Sequence, residues 1–326
     1  MTLIIDQTNK SKIFDSVVFL YDSNESPRGS GFLIKYQKKV YLITVAHNLI
    51  KAYNEQKISD NTKEPEIKVC IYFNDSKVNM LSIQIKCWKF DRDNDLAVMD
   101  FTPFVKGAGI QTTAGGVIDM GFSRDVFFCK EMLCSEDDKE YLKEGVETLS
   151  IGLFHYYYGN KKEQPICRFG HIAMIPYDQI SIPLPTMENQ KEEKQVKAYL
   201  IEHKSVGGMS GSVVFATPNG NEKEAKIIGI LHGHYDLNDG SQNDYENPTE
   251  KQRCENIKKE CDDIYSQCQE IQKQMQDTYE RMKRINSGIS IVIPSYKILE
   301  LLEREDVRKE REDAKKRYLD SLRNLS

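Results

Sequence analysis

Residues 28–50 read RGSGFLIKYQKKVYLITVAHNLI. A Gly-Ser-Gly opening leads into two apolar runs, Gly31–Tyr36 and Val40–Val45, joined by the polar Gln37-Lys38-Lys39. Apolar β-formers on either side of a short polar link predict a strand pair with a tight turn. The second strand delivers Thr44-Val45-Ala46-His47 at its end. A lone histidine at a strand end is usually structural, so its company elsewhere in the chain decides its reading.

Outward from this stretch, Phe14–Tyr21, Ile67–Phe73, Leu81–Trp88 and Leu96–Phe101 are rich in Val, Ile, Phe and Tyr and are separated by polar clusters. Short strands at this spacing predict an antiparallel barrel over residues 1–110. Residues 111–145, with Gly115-Gly116 and the charged run Glu136–Glu140, are expected to cross to a second barrel. Its strands are predicted at Thr148–Tyr157, Ile166–Ile175, Ala198–His203, Ser212–Ala216, Ile227–Leu231 and Ile289–Ile293, within 146–235 and 287–303. The expected fold is mainly β, with two antiparallel six-stranded barrels.

The second series is interrupted at 236–286. Residues 236–248 read as a loop. Over 249–286, Cys254, Ile257, Cys261, Ile264, Cys268, Ile271, Met275, Thr278, Met282 and Ile285 recur at alternating spacings of three and four. That is a coiled-coil stripe, predicting a helix about 50 Å long. It fits either a surface insertion packed on the chain's own C-terminal helix or an interface for a partner or a second copy. Residues 295–326 hold that C-terminal helix, with Ser295 as its expected N-cap. Its apolar face over 296–323 is Ile298, Leu299, Leu302, Val307, Ala314, Tyr318 and Leu322.

Composition narrows the function. The 326 residues carry a net charge of −5 with basic and acidic residues interspersed, so neither a nucleic-acid footprint nor a polybasic membrane patch is evident. No stretch approaches about 18 apolar residues, and the N-terminus lacks a secretory pattern. None of the eight cysteines (Cys70, Cys87, Cys129, Cys134, Cys167, Cys254, Cys261 and Cys268) sits in a CxxC pair. They are expected to be reduced thiols in a cytoplasmic protein, and no metal or cofactor is implied.

Three local patterns follow in the order His, Asp, Ser. After His47 comes Asp95-Leu96-Ala97-Val98-Met99, an acid opening an apolar strand, then Gly207-Gly208-Met209-Ser210-Gly211-Ser212 before Val213–Ala216. A serine hydroxyl needs a base to accept its proton as it attacks a carbonyl. Neutral imidazole suits that task near neutral pH, and a buried carboxylate on its other nitrogen fixes the tautomer. Glycines around the serine let backbone N–H groups converge on a developing oxyanion. Asp91, Asp93 and Asp100 compete with Asp95, which is preferred because it directly precedes the apolar run.

These segments resemble the trypsin-like (chymotrypsin-fold) serine peptidases, in motif style the bacterial HtrA-type and glutamyl-endopeptidase-type branches. GSGFLI, LITVAHNLI, DLAVMD and GGMSGSVVF carry the resemblance, joined by IIGIL at 227–231 and ISIVIP at 289–294. It covers about residues 12–235 and 287–303. The resemblance implies a serine endopeptidase acting on protein or peptide substrates, with His47 as base, Asp95 as orienter and Ser210 as nucleophile. It further implies Gly208 and Ser210 as oxyanion donors. Lys204, Leu231, His232 and Gly233 fall at the implied substrate pocket, where Lys204, His232 and His234 together would favour an acidic side chain, or else are a solvated lysine and two surface histidines. Met209 stands where the family often has Asn or Asp, and Val213 replaces its usual proline. The alternatives are a catalytically silent binding module on the same fold and a partner-gated signalling or defence component. The 249–286 and 296–323 helices would be its partner or self-association surfaces.

Overall fold

The computed structural model describes residues 13–14, 16–59, 64–71, 79–104, 110–111, 117–118, 128–135, 142–155, 164–188, 190–203, 208–217, 225–237 and 285–313. Residues 1–233 and 288–326 form one compact unit and 234–287 another. The heptad stretch 249–284 lies outside the described residues.

The first sheet is built from β1 (Val17–Tyr21), β2 (Pro27–Tyr36), β3 (Lys39–Val45), β4 (Glu66–Ile71), β5 (Asn79–Gln84), β6 (Lys89–Asp91) and β7 (Leu96–Asp100). Their order is β5-β4-β1-β2-β3-β7-β6. The β2–β3 turn has two central residues, Gln37 and Lys38, with φ of 46° and 67°. Positive φ at both positions is the hairpin turn whose twist matches the flanking strands. Phe32, Leu33, Ile34, Leu42 and Ile43 are fully buried, so β2 and β3 are covered on both faces. This explains their nearly unbroken apolar runs. Leu33 and Leu42 join a core with Ile67, Val69, Ala97 and Phe101.

A two-stranded hairpin, β8 (Ile110–Gln111) with β9 (Val117–Ile118), follows, and then β10 (Phe128–Cys129) runs parallel to β2. Phe128 meets Phe32 of β2 and Phe215 of the second sheet edge-on, with ring centroids 6.0 and 5.5 Å apart. The crossing region therefore welds the two sheets through edge-on aromatic contacts.

The second sheet comprises β11 (Glu147–Gly152), β12 (Ile166–Met174), β15 (Tyr199–Glu202), β16 (Val213–Ala216), β17 (Lys226–Leu237) and β18 (Ile285–Pro294). It closes as a six-stranded barrel, β11-β12-β15-β18-β17-β16. Of the two barrels expected, this one is closed, whereas the first is an open eight-stranded sheet among the described residues. Its end strand β6 is three residues long and offers little ladder for closure.

Other features were not foreseen. Helix α1 (Ala46–Ser59) begins directly after β3 and buries Ala46, Leu49, Ile50 and Ala52 in the first core. A hairpin of β13 (Gln179–Pro185) and β14 (Lys191–Lys197) rises between β12 and β15. Its tip reaches α1, where Asn54 Nδ2 donates to Thr186 O at 2.8 Å. The expected continuous C-terminal helix instead breaks at Arg304. Helix α2 (Ser295–Glu303) ends there, and a second helical run covers 305–313. Arg304 takes extended backbone, and its guanidinium bonds Phe90 O at 2.7 Å and Asp306 at 2.7 and 2.9 Å. Pro294, not Ser295, occupies the N-cap position of α2. The Ser295 hydroxyl donates to Cys134 O at 2.7 Å, so it ties the helix start to the crossing region. Ile298, Leu302 and Val307 are buried as expected of the apolar face, and residues 314–326 lie outside the described residues.

Among the described residues no helix is long and apolar enough to cross a membrane. Cys87, Cys129, Cys134 and Cys167 carry thiols rather than disulfides.

Candidate active site

The site starts at the junction of β3, α1 and β7. The first N–H groups of a helix have no partner within it and need acceptors. Asp95 supplies them. Its main-chain carbonyl accepts Ala46 N–H at 3.0 Å, and its Oδ1 accepts His47 N–H at 2.9 Å. Asp95 has φ of 53°, a left-handed conformation that Asp tolerates better than most residues. The turn before it is tied by Asn94 N and Nδ2, which donate to the two carboxylate oxygens of Asp91 at 3.2 and 2.8 Å. Asp91, a competing acid in the sequence, is thus a turn-capping residue.

The remaining oxygen, Asp95 Oδ2, lies 2.7 Å from His47 Nδ1. Asp95 is fully buried and His47 nearly so. A carboxylate can only accept, so the imidazole carries its proton on Nδ1 and presents a lone pair on Nε2. Burial lowers the His47 pKa to about 4, against the pull of Asp95. Burial alone would raise the Asp95 pKa, but the facing imidazoles of His47 and His232 hold it below the usual carboxylate range. At neutral pH the pair is a carboxylate beside a neutral imidazole, the charge state a general base requires.

The Ser210 loop lies against this junction. Gly208 and Gly211 have φ of 93° and 90°, which explains the glycine on either side of Met209-Ser210. A Cβ on Gly211 would fall 1.9 Å from Ser30 O. The Ser210 carbonyl accepts two hydrogen bonds from the first sheet's side, from Ser30 N at 2.8 Å and from Asn48 Nδ2 at 3.0 Å. Ser30 Oγ donates to Gly208 O at 3.0 Å and accepts Leu153 N–H at 2.8 Å. Thr44 Oγ1 donates to Ser30 O at 2.7 Å. Behind the loop, Gly211 N–H donates to Leu231 O at 2.8 Å, and Leu231 N–H to Ser212 O at 2.9 Å. Met209 is buried in the second core with Val214, Ile228 and Leu231. Among the described residues, the Ser210 hydroxyl itself makes no hydrogen bond, and apo geometries of this kind are often looser than the working complex.

Ser30 and Asn48 went unassigned in the sequence, yet each left a signal. The GSG at 29–31 is dictated by close approach, because a Cβ on Gly29 would meet Asn48 at 2.2 Å and Ser210 O at 2.7 Å. Asn48 follows His47 directly, and a buried amide one residue from a catalytic candidate needs partners.

Of the residues expected at a substrate pocket, Leu231, His232 and Gly233 are consecutive on β17. Lys204 lies outside the described residues. Leu231 is fully buried within the barrel core. A Cβ on Gly233 would meet nothing within 4 Å. His232 is 8% exposed, and its Nδ1 lies 2.5 Å from Asp95 Oδ2. His47 and His232 pack edge-on with ring centroids 5.0 Å apart.

The ligand-type atoms of His47, Asp95 and His232 lie within 4.8 Å of one another. Both ring nitrogens address one oxygen at hydrogen-bond distance and the other oxygen holds the His47 N–H, so hydrogen bonding alone satisfies the cluster. A separate buried histidine, His203, bridges Ser150 Oγ at 2.9 Å and Ser290 Oγ at 3.1 Å. Burial lowers its pKa, and it is a polar pin inside the barrel.

No family model matches the sequence, and no curated protein matches it. Several solved structures are similar in chain path. The Rv3671c protease of M. tuberculosis in its inactive form is 12% identical with a TM-score of 0.43, over 92% of this chain and 93% of that one. Deg5 is 17% identical with a TM-score of 0.40, over 70% and 83%. The serine endoprotease of Yersinia pestis is 14% identical with a TM-score of 0.41, over 93% and 66%. Likeness at this level assigns neither a family nor an activity.

Proposed function

We propose that this chain is a trypsin-like serine endopeptidase. Ser210 attacks the peptide carbonyl, and His47 Nε2 takes the hydroxyl proton as the C–O bond forms. The proton passes to the leaving amine as the C–N bond breaks, which leaves an acyl group on Ser210. Water activated by His47 then releases the acid and restores the serine. Asp95 keeps the imidazole in the Nδ1–H tautomer and stabilises the imidazolium. The N–H groups of Gly208 and Ser210 are the oxyanion donors in this reading. Lys204, Leu231, His232 and Gly233 remain the proposed pocket neighbourhood, with an open position at 233.

The observation that carries the reading is the convergence on α1. His47 bonds Asp95 there, and the next residue, Asn48, holds the carbonyl of Ser210. Residues 48 and 210 are far apart in sequence, and a scaffold has no need to bring a base–carboxylate pair and a serine turn together. The unbonded Ser210 hydroxyl favours a second reading, a silent binding module. Fluorophosphonate labelling of the purified protein, read by intact mass, separates the two. One adduct on wild type and none on Ser210→Ala supports the peptidase; no adduct on wild type favours the binding module.

A further inference from the structure

Ahead of the serine, the turn that carries Ser210 has no polar side chain to hold it. Met209 is apolar and buried in the second core. Gly208 has φ of 93° and no Cβ, so nothing within the residue keeps its peptide from rotating. Yet three successive carbonyls of the turn are all held. Gly208 O accepts from Ser30 Oγ at 3.0 Å, Met209 O from Ser212 N–H at 2.9 Å, and Ser210 O from Ser30 N–H and Asn48 Nδ2. The first of these bonds comes from a single hydroxyl, and Ser30 is fully buried.

We propose that the Ser30 side chain is a positioning residue for the nucleophile turn: its hydroxyl fixes the peptide that joins Gly208 to Met209, the stretch of backbone between the two proposed oxyanion donors, Gly208 N–H and Ser210 N–H. The kinetic consequence rests on the peptidase reading, and the junction rests on geometry alone. A serine hydroxyl has one proton to give. Ser30 gives it to Gly208 O and accepts Leu153 N–H at 2.8 Å on the same oxygen, so the hydroxyl is oriented from both sides. A planar peptide turns as one unit. With Gly208 O held, the peptide after it cannot flip. Met209 O, held by Ser212, then sets the opposite-facing N–H of Ser210.

The surroundings of Ser30 fit this role. Leu153 directly follows β11, and a Cβ on Gly152 would fall 2.7 Å from Ser30 Oγ, so glycine at 152 lets the barrel strand approach the hydroxyl. Thr44 Oγ1 donates to Ser30 O at 2.7 Å, and Ser30 N–H donates to Ser210 O at 2.8 Å, which fixes the residue's main chain on both sides. One hydroxyl thus joins β2, the end of β11 and the nucleophile turn. The main-chain bond to Ser210 O survives replacement of the side chain, whereas the bond to Gly208 O depends on it.

The test uses the ¹⁵N-labelled full chain as wild type, Ser30→Ala and Ser30→Cys. It reads fluorophosphonate labelling kinetics, amide exchange and the downfield Nδ1–H resonance of His47. The probe's phosphoryl oxygen takes the place of the developing oxyanion, so its rate reports on the turn. Alanine leaves Gly208 O and Leu153 N–H without their partner; cysteine keeps the shape with a weaker donor. Ser30→Ala should lower the maximal labelling rate about 30-fold, with the half-saturating probe concentration unchanged. Ser30→Cys should lie between, about fivefold below wild type. The Leu153 amide should exchange slowly in wild type and faster in both variants. The His47 resonance should persist in both, because its bond to Asp95 lies elsewhere. A wild-type maximal rate in either variant, a loss confined to the half-saturating concentration, or loss of the His47 resonance overturns the proposal. If the alanine variant does not fold, the cysteine variant decides by the same criteria. If wild type does not label at all, the peptidase reading falls, while Leu153 exchange still decides whether the hydroxyl holds the junction. Equal exchange in wild type and variants overturns it.

Discussion

His47 and Asp95 belong to the open first sheet and are fixed by their own neighbours, through bonds from the start of α1 to the acid that opens β7. Ser210 lies in the loop before strand β16 of the closed barrel, yet its carbonyl is held from outside, by Ser30 of the first sheet and Asn48 of α1. The acid–base half is therefore held mostly by local bonds, with one from His232 of the barrel, whereas the nucleophile half depends on the contact between sheets. Buried polar groups that are fully satisfied hold one geometry. A loop held through a few cross-sheet bonds is the part a perturbation reaches first.

The strongest way to break the local half is Asp95→Asn. The amide can still accept from the helix start, but it cannot act as anion and acceptor to two imidazoles. The maximal fluorophosphonate labelling rate should fall by about 10⁴-fold, the cost of the wrong imidazole tautomer. The same half sets the pH response. With the His47 pKa lowered to about 4, the acid limb of labelling should lie near pH 4 and well below that of an unburied imidazole at about 6.5. The stability linkage has the matching sign. His47 favours the fold fully above its unfolded pKa, and that contribution is lost as pH falls through the lowered folded value. Asp95, also depressed, acts likewise but in a more acidic window. A labelling profile with its midpoint near 6.5 would show that His47 is more open to water than its burial implies.

Gly211→Ala attacks the other half. The φ of 90° strains any Cβ, and that atom would overlap Ser30 O. Relief requires the loop to leave the first sheet. We expect a loss of about 100-fold in labelling rate, from a strain of a few kcal/mol. The Nδ1–H resonance of His47 should persist, because its bond to Asp95 is made within the first half. If it vanishes as well, the halves are less independent than their bonding suggests.

Asn48→Ala is a milder test of the same contact. It removes one of two donors to the Ser210 carbonyl and leaves the other, from Ser30 N. Stability should drop by about 1–2 kcal/mol, with a loss of about tenfold in labelling. Asn48→Asp should be worse than alanine, since a carboxylate would face the carbonyl it replaces a donor to.

The contrast between halves also explains what the sequence made legible. The β2–β3 pair could be read because its strands are covered on both faces and its turn is two residues long. Asp95 stood out because it opens an apolar strand, although nothing in the sequence showed that it also starts α1. That helix was missed because Ala46-His47-Asn48 continues a strand without a capping residue of its own; the cap comes from residue 95. The β13–β14 hairpin was missed for the opposite reason. Lys191–Lys197 is nearly all charged and amide residues, with Val196 buried, so it carries little apolar alternation. Ser30, Asn48 and His232 act through contacts between residues far apart in the chain, which periodicity does not report. His232 was assigned to a pocket from its strand, and its bond to Asp95 needed the fold.

The smallest expected effect falls on the C-terminal helices, which brace the open sheet. Arg304 stands at the break between the two helical runs and donates to Phe90 O on β6. Tyr36 and Gln37 bond Glu303 beside it, and Arg311 lies over the Tyr36 ring at 5.3 Å. Arg304→Ala removes one bond from the sheet's end strand and should cost about 1 kcal/mol in chemical denaturation with labelling unchanged. The second expectation is the informative one. Phe90 precedes the Asp91–Asn94 turn that presents Asp95, so β6 is the route by which the helices would reach the site. Unchanged labelling means that the bonds of α1 to Asp95 fix the acid without help from the sheet edge. A slower rate at unchanged pH midpoint would instead make the C-terminal helices part of the support of Asp95, and the first half would then be held from outside as the second is.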